Sequence, residues 1–319
     1  MKRLVILGGG ESGVGSALLG KQKGYEIFVS DRGSIAKKYK KVLLHNEISF
    51  EEKQHTESLI LNADVVVKSP GIPEKAPIVQ QLINNGVLVI SEIEFASKYT
   101  DALIIGITGS NGKTTTTLIT HHLLKSAKIN VGVAGNIGAS FAQQVAEENF
   151  ESYVLELSSF QLDGVIDFRP HIAIITNITP DHLDRYEYDF NQYVASKFTI
   201  TRNQTIHDFL IYDADDQTID NWLKKNQTNA ALIPFSIEKE LDYGAFLKED
   251  TIIIKLNTEE FSMSISNLRL QGKHNVKNTM AGALASQLLN VRSQSIKDSL
   301  ANFEGAEHRL ENVQKVNGI

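Results

Sequence analysis

Short β-branched apolar runs alternate along this chain with stretches whose apolar residues recur at helical spacing, and glycine clusters punctuate the joints. Residues 2–7 read as a strand, 14–23 as a helix and 26–30 as the next strand. Further strands are expected at 64–68 and 87–90. The pattern restarts near 97–101 with an apolar run at 102–107 and a helical stretch at 116–126. Strands then fit 130–134, 152–157, 172–175, 209–212 and 231–234. Residues 251–264 suit a β-hairpin, and residues 274–289 suit a long helix. No internal repeat and no low-complexity segment interrupts this order. Alternation of this kind predicts α/β units with mostly parallel sheets.

Two glycine-rich turns sit at strand-to-helix joints. The first, Gly8-x-Gly10-x-x-Gly13, is followed by Asp31 at the end of the next strand, which is the spacing of a dinucleotide-binding fingerprint. Alone it would suggest an NAD-dependent dehydrogenase, a diphosphate grip for another ligand, or merely a tight turn. The second is the octet at 108–115, TGSNGKTT. Amide groups of Gly109, Ser110, Asn111 and Gly112 and the positive end of the following helix suit phosphate oxygens. Lys113 would reach the β- and γ-phosphates of ATP, and the Thr114 hydroxyl, beside Thr115, would bind Mg²⁺. The octet departs from G-x-x-x-x-G-K-[ST], because Ile107 stands where the first glycine is expected. The fold expectation is therefore α/β: a Rossmann-like N-terminal domain over 1–98, then a P-loop-type central ATPase domain with a mostly parallel sheet over 99–303. Residues 304–319 are expected to be a linker and the start of a further domain.

Composition narrows the classes. At 319 residues, two domains are expected rather than one. A net charge of -6 and a pI near 5.9 argue against nucleic acid held by bulk electrostatics. The absence of cysteine removes disulfides, cysteine-ligated zinc and a thiol nucleophile. The apolar run 4–7 is too short for a signal peptide, and no stretch approaches the ~20 apolar residues of a membrane span. The cytoplasm is the expected location.

Glu156 closes the apolar run 152–157 between Leu155 and Leu157. A carboxylate there is better explained by a cation partner than by chance burial. Other segments then read together: GNIG at 135–138, LELSSFQL at 155–162, NITPDHLDR at 177–185, YVASK at 193–197, GKHN at 272–275 and EHR at 307–309. With TGSNGKTT, and in this order, they resemble the Mur ligases of peptidoglycan synthesis. ELSSFQL and DHLDR resemble the branch that adds D-glutamate. The resemblance spans nearly the whole chain.

The resemblance implies ATP-driven joining of D-glutamate to UDP-N-acetylmuramoyl-L-alanine through an acyl phosphate, by a cytoplasmic monomer without nucleic-acid or membrane partners. It implies two Mg²⁺ sites, held by Thr114, Glu156, His182 and a Lys197 carbamylated by CO₂. By composition alone Lys197 reads as a surface lysine on a helix. Ser12 and the turn from Gly10 to Gly13 would lie near the uracil and diphosphate, with Asp31 or Arg32 close to the uridine. Asn136, Gln161 and His182 would face the muramoyl-alanine end; Asn275 would meet the adenine, and Arg309 would lie near ATP at a hinge. Asn136 also suits a turn, and Asn275 a helix N-terminus. The family further implies a third, C-terminal domain that supplies an Asp and a Lys. Because the sequence stops at Ile319, a chain that binds substrate but turns over poorly is expected. Another ligase of the superfamily, such as a folylpolyglutamate synthase, is the alternative, against which Ser159-Phe160-Gln161 and the glycine-rich first domain stand.

Overall fold

The computed structural model describes residues 1–256, 259–303 and 305. Two sheets organise it. The first holds β1 (Arg3–Leu7), β2 (Glu26–Asp31), β3 (Ser49–Glu52), β4 (Val65–Lys68) and β5 (Leu88–Ile90), all parallel, in the order β3-β2-β1-β4-β5. The second holds β6 (Leu103–Thr108), β7 (Val131–Gly135), β8 (Ser152–Glu156), β9 (Ile172–Ile175), β10 (Phe209–Asp213), β11 (Ala231–Ser236), β12 (Gly244–Lys248), β13 (Thr251–Leu256) and β14 (Glu259–Ser264). Its order is β14-β13-β12-β11-β10-β9-β6-β8-β7, parallel from β7 to β12 and antiparallel at β13 and β14. Parallel strands covered on both faces need continuous apolar runs, and β6, β8 and β9 have them. β6 lies between β8 and β9, so the chain order reverses beside it. Ligands of open α/β sheets bind outside the carboxyl ends of strands at such a point.

The two units share an apolar core that runs from Leu4 and Ile6 through Phe95 to Phe141 and Tyr153. Helix Glu11–Gln22 lies against helix Phe141–Glu147, and Gly15 leaves room there for Ser140. Buried Glu94 fixes the joint from the other side: its Oε2 accepts the amides of Ile166, Asp167 and Phe168 at 2.9, 3.0 and 2.9 Å.

Several elements differ from the sequence expectation. The first helix starts at Glu11 rather than 14, because Gly13 allows its opening turn to press on the Gly8 carbonyl. β3 was not expected: its sequence SFEE is polar, as an edge strand tolerates. β12 was also not expected, being short and preceded by a charged run. The hairpin at 251–264 is present as β13 and β14. Among the described residues, no helix is long and apolar enough to cross a membrane.

Candidate active site

The phosphate-type loop leaves the carboxyl end of β6. Ile107 is fully buried inside β6, which runs on to Thr108, so the turn begins at Gly109, two residues beyond where the strict pattern would start it. Gly109 at φ 148° and Gly112 at φ 83° bend the chain into helix Lys113–Ser126. The loop is fastened to the segment after β9. Ser110 N donates to Asn177 O at 2.8 Å, Asn111 N to Asn177 Oδ1 at 2.9 Å, and Thr176 Oγ1 to Asn111 O at 2.7 Å. Ser110 Oγ donates to Thr179 O at 2.8 Å and meets Tyr193 OH at 3.1 Å. Lys113 Nζ donates to the carbonyls of Gly109 and Ser110, at 3.0 and 2.9 Å. Thr114 and Thr115 are half-buried in the first helical turn.

Glu156 ends β8 and is 1 % exposed. Asn136 holds it twice, donating from its backbone amide to Glu156 O and from Nδ2 to Oε1, both at 2.9 Å. Among the described residues, Glu156 Oε2 is buried without a hydrogen-bond partner. An orphaned buried carboxylate oxygen at a strand's carboxyl end suits a cation. Among the described residues, no cluster of three His, Cys, Asp or Glu could hold a metal alone. Mg²⁺ commonly takes one or two carboxylates and completes its shell with water and phosphate oxygens, so a sparse protein donor set fits it.

Lys197 is buried, not at the surface. It lies on helix Phe190–Phe198, beside the buried Tyr193, Val194 and Phe198. Its Nζ donates to Gly109 O at 2.7 Å and sits 4.6 Å from the Tyr193 ring centroid. Burial, with the nearby Lys113 charge, lowers its pKa to about 7. A cavity of about 310 Å³ joins Lys113, Asn136, His182, Tyr193 and Lys197 to Pro70 and Gly71 of the first unit. His182 has φ 49°, lies 3.5 Å from an Asp181 carboxylate oxygen, and packs near Phe160.

A second cavity, about 760 Å³, opens over the first sheet and includes Gly8, Gly10, Asp31, Arg32 and His55. Asp31 closes its floor: Oδ2 accepts Gly9 N at 2.6 Å and Oδ1 accepts Gly33 N at 2.7 Å. Ser12 and Gly13 line neither cavity. Ser12 instead hydrogen-bonds Glu92, whose pKa burial raises. Gln161 also lines neither; its Oε1 accepts Ser158 N at 2.9 Å and Ser158 Oγ at 3.0 Å in a capping box. Asn275, in the first turn of helix Lys273–Leu288, donates to Gln271 O at 2.9 Å. Arg309 lies outside the described residues.

Three further residues join this neighbourhood. Tyr193 and Arg185 sit inside segments whose sequence signal rests on other residues. Arg185 lies 4.3 Å over the Phe160 ring and donates to Pro70 O at 3.0 Å and Gly71 O at 3.3 Å. Asn278 accepts from Thr116 Oγ1 at 3.2 Å and presses on Gly112. Its spacing of three from Asn275 puts both on one helix face, a signal present in the sequence.

Comparison with known proteins shows the family. The Mur ligase middle domain model matches residues 107–286, and the MurD N-terminal domain model matches residues 3–78. A UDP-N-acetylmuramoylalanine–D-glutamate ligase of Christiangramia forsetii is 57 % identical over 318 residues, covering 100 % of this chain and 72 % of the relative. That of Bacteroides thetaiotaomicron is 51 % identical over 321 residues, with the same coverage. Among solved structures, a UDP-N-acetylmuramate:L-alanyl-γ-D-glutamyl-meso-diaminopimelate ligase from Neisseria meningitides aligns with a TM-score of 0.68. It is 20 % identical and covers 96 % of this chain and 99 % of its own. The UDP-N-acetylmuramate–alanine ligase of Thermotoga maritima aligns at 0.59 and 20 % identity, covering 97 % and 70 %. At that identity the two structures speak for the fold alone.

Proposed function

The chain belongs to the Mur ligase family, and on that premise we propose that it serves the ATP-dependent joining of D-glutamate to UDP-N-acetylmuramoyl-L-alanine. The observation that carries the reading is the cavity beside the first unit that is lined by Lys113 of the phosphate-type loop, by Lys197 and by Asn136, whose side chain holds Glu156. The muramoyl-alanine carboxylate attacks the γ-phosphate of ATP, giving an acyl phosphate and ADP. The D-glutamate amine attacks the acyl carbon and releases phosphate. Two anions must meet in the first step. At ~4 Å, with an effective dielectric near ~20, each unit repulsion is about 4 kcal/mol. Lys113 offsets part of this from the loop, and phosphoryl transfer then rests mostly on positioning.

Thr114 and Glu156 would hold one Mg²⁺, and His182 with a carbamylated Lys197 a second. Mg²⁺, when bound, supplies further neutralisation of the phosphate oxygens. The buried Lys197, with its lowered pKa, is a nucleophile toward dissolved CO₂ near neutral pH. Its amine forms an N–C bond, one C=O π pair moves onto oxygen, and one proton leaves to solvent. The product is an anion where a neutral amine stood. Asn136 faces the muramoyl-alanine end, and Asn275 with Asn278 the adenine. The uridine diphosphate occupies the first-unit cavity beside Gly10 and Arg32. The dehydrogenase alternative loses support, because the Mur ligase family models match both residues 3–78 and residues 107–286.

Calorimetry of the 319-residue chain with UDP-N-acetylmuramoyl-L-alanine tests the reading. Saturable binding that Asn136→Ala weakens is expected. No binding at millimolar substrate would overturn it.

A further inference from the structure

His55 lines the first-unit cavity. Its Nδ1 lies 2.7 Å from the Ser30 hydroxyl. The same hydroxyl lies 2.7 Å from Glu51 Oε1. A serine hydroxyl has one proton to give. Glu51 is ionised, since hydrogen bonds from Thr56, Ser30 and Gln54 outweigh the opposing effect of burial and hold its pKa below the ordinary carboxylate value. It can only accept, so the Ser30 proton goes to Glu51. Ser30 must then accept from His55, and the imidazole proton stands on Nδ1. The ring is neutral at physiological pH, because burial lowers its pKa against the opposing pull of Glu51 and Asp31. Nε2 therefore carries a lone pair, and among the described residues it meets no hydrogen-bonding partner.

We infer that Ser30 and Glu51 lock His55 as its Nδ1–H tautomer, so that Nε2 accepts the imide N–H of a uracil base and distinguishes uracil from cytosine. This rests on the uridine diphosphate occupying this cavity, as proposed above. Uracil offers a hydrogen at N3. Cytosine offers a lone pair there, which would face the Nε2 lone pair with both acceptors desolvated. The nearby carboxylates already accept hydrogen bonds from within the unit. Asp31 has both oxygens on backbone amides, and Glu51 has both on Ser30, Thr56 and Gln54. Ser30 is fully buried, so water does not compete for the lock.

The test compares UDP with CDP binding to the 319-residue chain by calorimetry. Unmodified protein should prefer UDP by roughly 10- to 100-fold, the range expected when one buried acceptor is matched or mismatched. His55→Leu should bring the two affinities to within about twofold of each other. His55→Gln, which keeps an acceptor, should retain part of the preference, and thermal melts report whether each variant is folded. Independently of any variant, a long-range ¹H–¹⁵N spectrum of the unmodified chain should show His55 protonated at Nδ1. A proton on Nε2, or an unchanged UDP-to-CDP ratio in folded His55→Leu, would overturn the inference alone. If UDP fails to bind the unmodified chain, the placement of the nucleotide falls, and this inference falls with it.

Discussion

Asn136 clamps Glu156 through two hydrogen bonds of 2.9 Å, one to the backbone carbonyl and one to Oε1, and leaves Oε2 buried and, among the described residues, unpaired. The same side chain that positions the carboxylate lines the cavity between the units. Gly135, at φ 102°, allows the close approach, since a Cβ there would overlap the Glu156 carbonyl.

Removing either partner should therefore have opposite consequences. Asn136→Ala strips the carboxylate of its side-chain donor and should destabilise the fold by about 1–3 kcal/mol. Glu156→Gln removes the buried charge, so stability should hold or rise, while Mg²⁺-dependent ATP binding should weaken. Urea melts and calorimetry with and without Mg²⁺ measure both. Wild-type Mg·ATP affinity in Glu156→Gln would remove Glu156 from the metal site.

Lys197 predicts a pH dependence of stability. Its pKa falls from 10.5 to about 7 on folding, chiefly by burial. Between those values the unfolded chain binds a proton that the folded chain does not, so this residue makes stability rise with pH across that window. The burial penalty is greatest below about pH 7 and vanishes above the unfolded value. Lys197→Met should abolish that contribution, flattening the stability difference between pH 7.5 and 9.5 by up to about 2.5 kcal/mol in CO₂-free buffer. Adding bicarbonate should stabilise the unmodified protein alone and add the mass of one CO₂ at Lys197. Identical pH slopes for the two proteins would refute the assignment.

Gly109 is where the loop has least freedom. Its φ of 148° disfavours a side chain, a Cβ would overlap Thr176 Oγ1, and its carbonyl accepts from both Lys113 and Lys197. Gly109→Ala should cost about 1–3 kcal/mol of stability and displace both lysines, with at least a ~10-fold loss of ATP affinity. At Gly10 a Cβ would meet nothing within 4 Å and φ is -82°. Gly10→Ala should change stability by less than about 0.5 kcal/mol. Equal effects at the two glycines, read by urea melts, would contradict this account of the loop.

What was legible in the sequence follows from how far each signal reaches along the chain. The turns at 8–13 and 108–115 are local, because backbone bending demands glycine where it occurs. Glu156 is legible because a carboxylate between two leucines at a strand end needs a partner. The burial of Lys197 was carried only by its neighbours Tyr193, Val194 and Phe198, which place one apolar face around it. Asn278 meets Thr116 across 162 positions and Arg185 meets Pro70 across 115, distances over which no local pattern operates. The tautomer of His55 is set by a hydroxyl on β2 and a carboxylate on β3, an edge strand whose polar sequence hid it. Gln161 marks the reverse case. Its segment looked like a ligand contact, yet the described hydrogen bonds of its Oε1 complete a helix cap.

Arg185 couples the two units. Its guanidinium stacks over Phe160 and donates to two carbonyls of the loop after β4, so it holds the first unit's edge against the cavity that contains Lys113 and Lys197. The planar fork and the stacking are specific to arginine. Arg185→Ala should loosen the Pro70–Gly71 loop and weaken UDP-N-acetylmuramoyl-L-alanine binding by roughly 5- to 30-fold, equivalent to one or two kcal/mol. ATP binding depends on groups in the second unit and should change less than about twofold. Arg185→Lys should rescue only part of the loss, since an ammonium cannot reach both carbonyls while stacking flat on the ring. Charge alone would predict full rescue by lysine, and a general loss of folding would lower both affinities together. Calorimetry with each ligand on the two variants separates the three outcomes, and an equal loss for ATP would refute the coupling role.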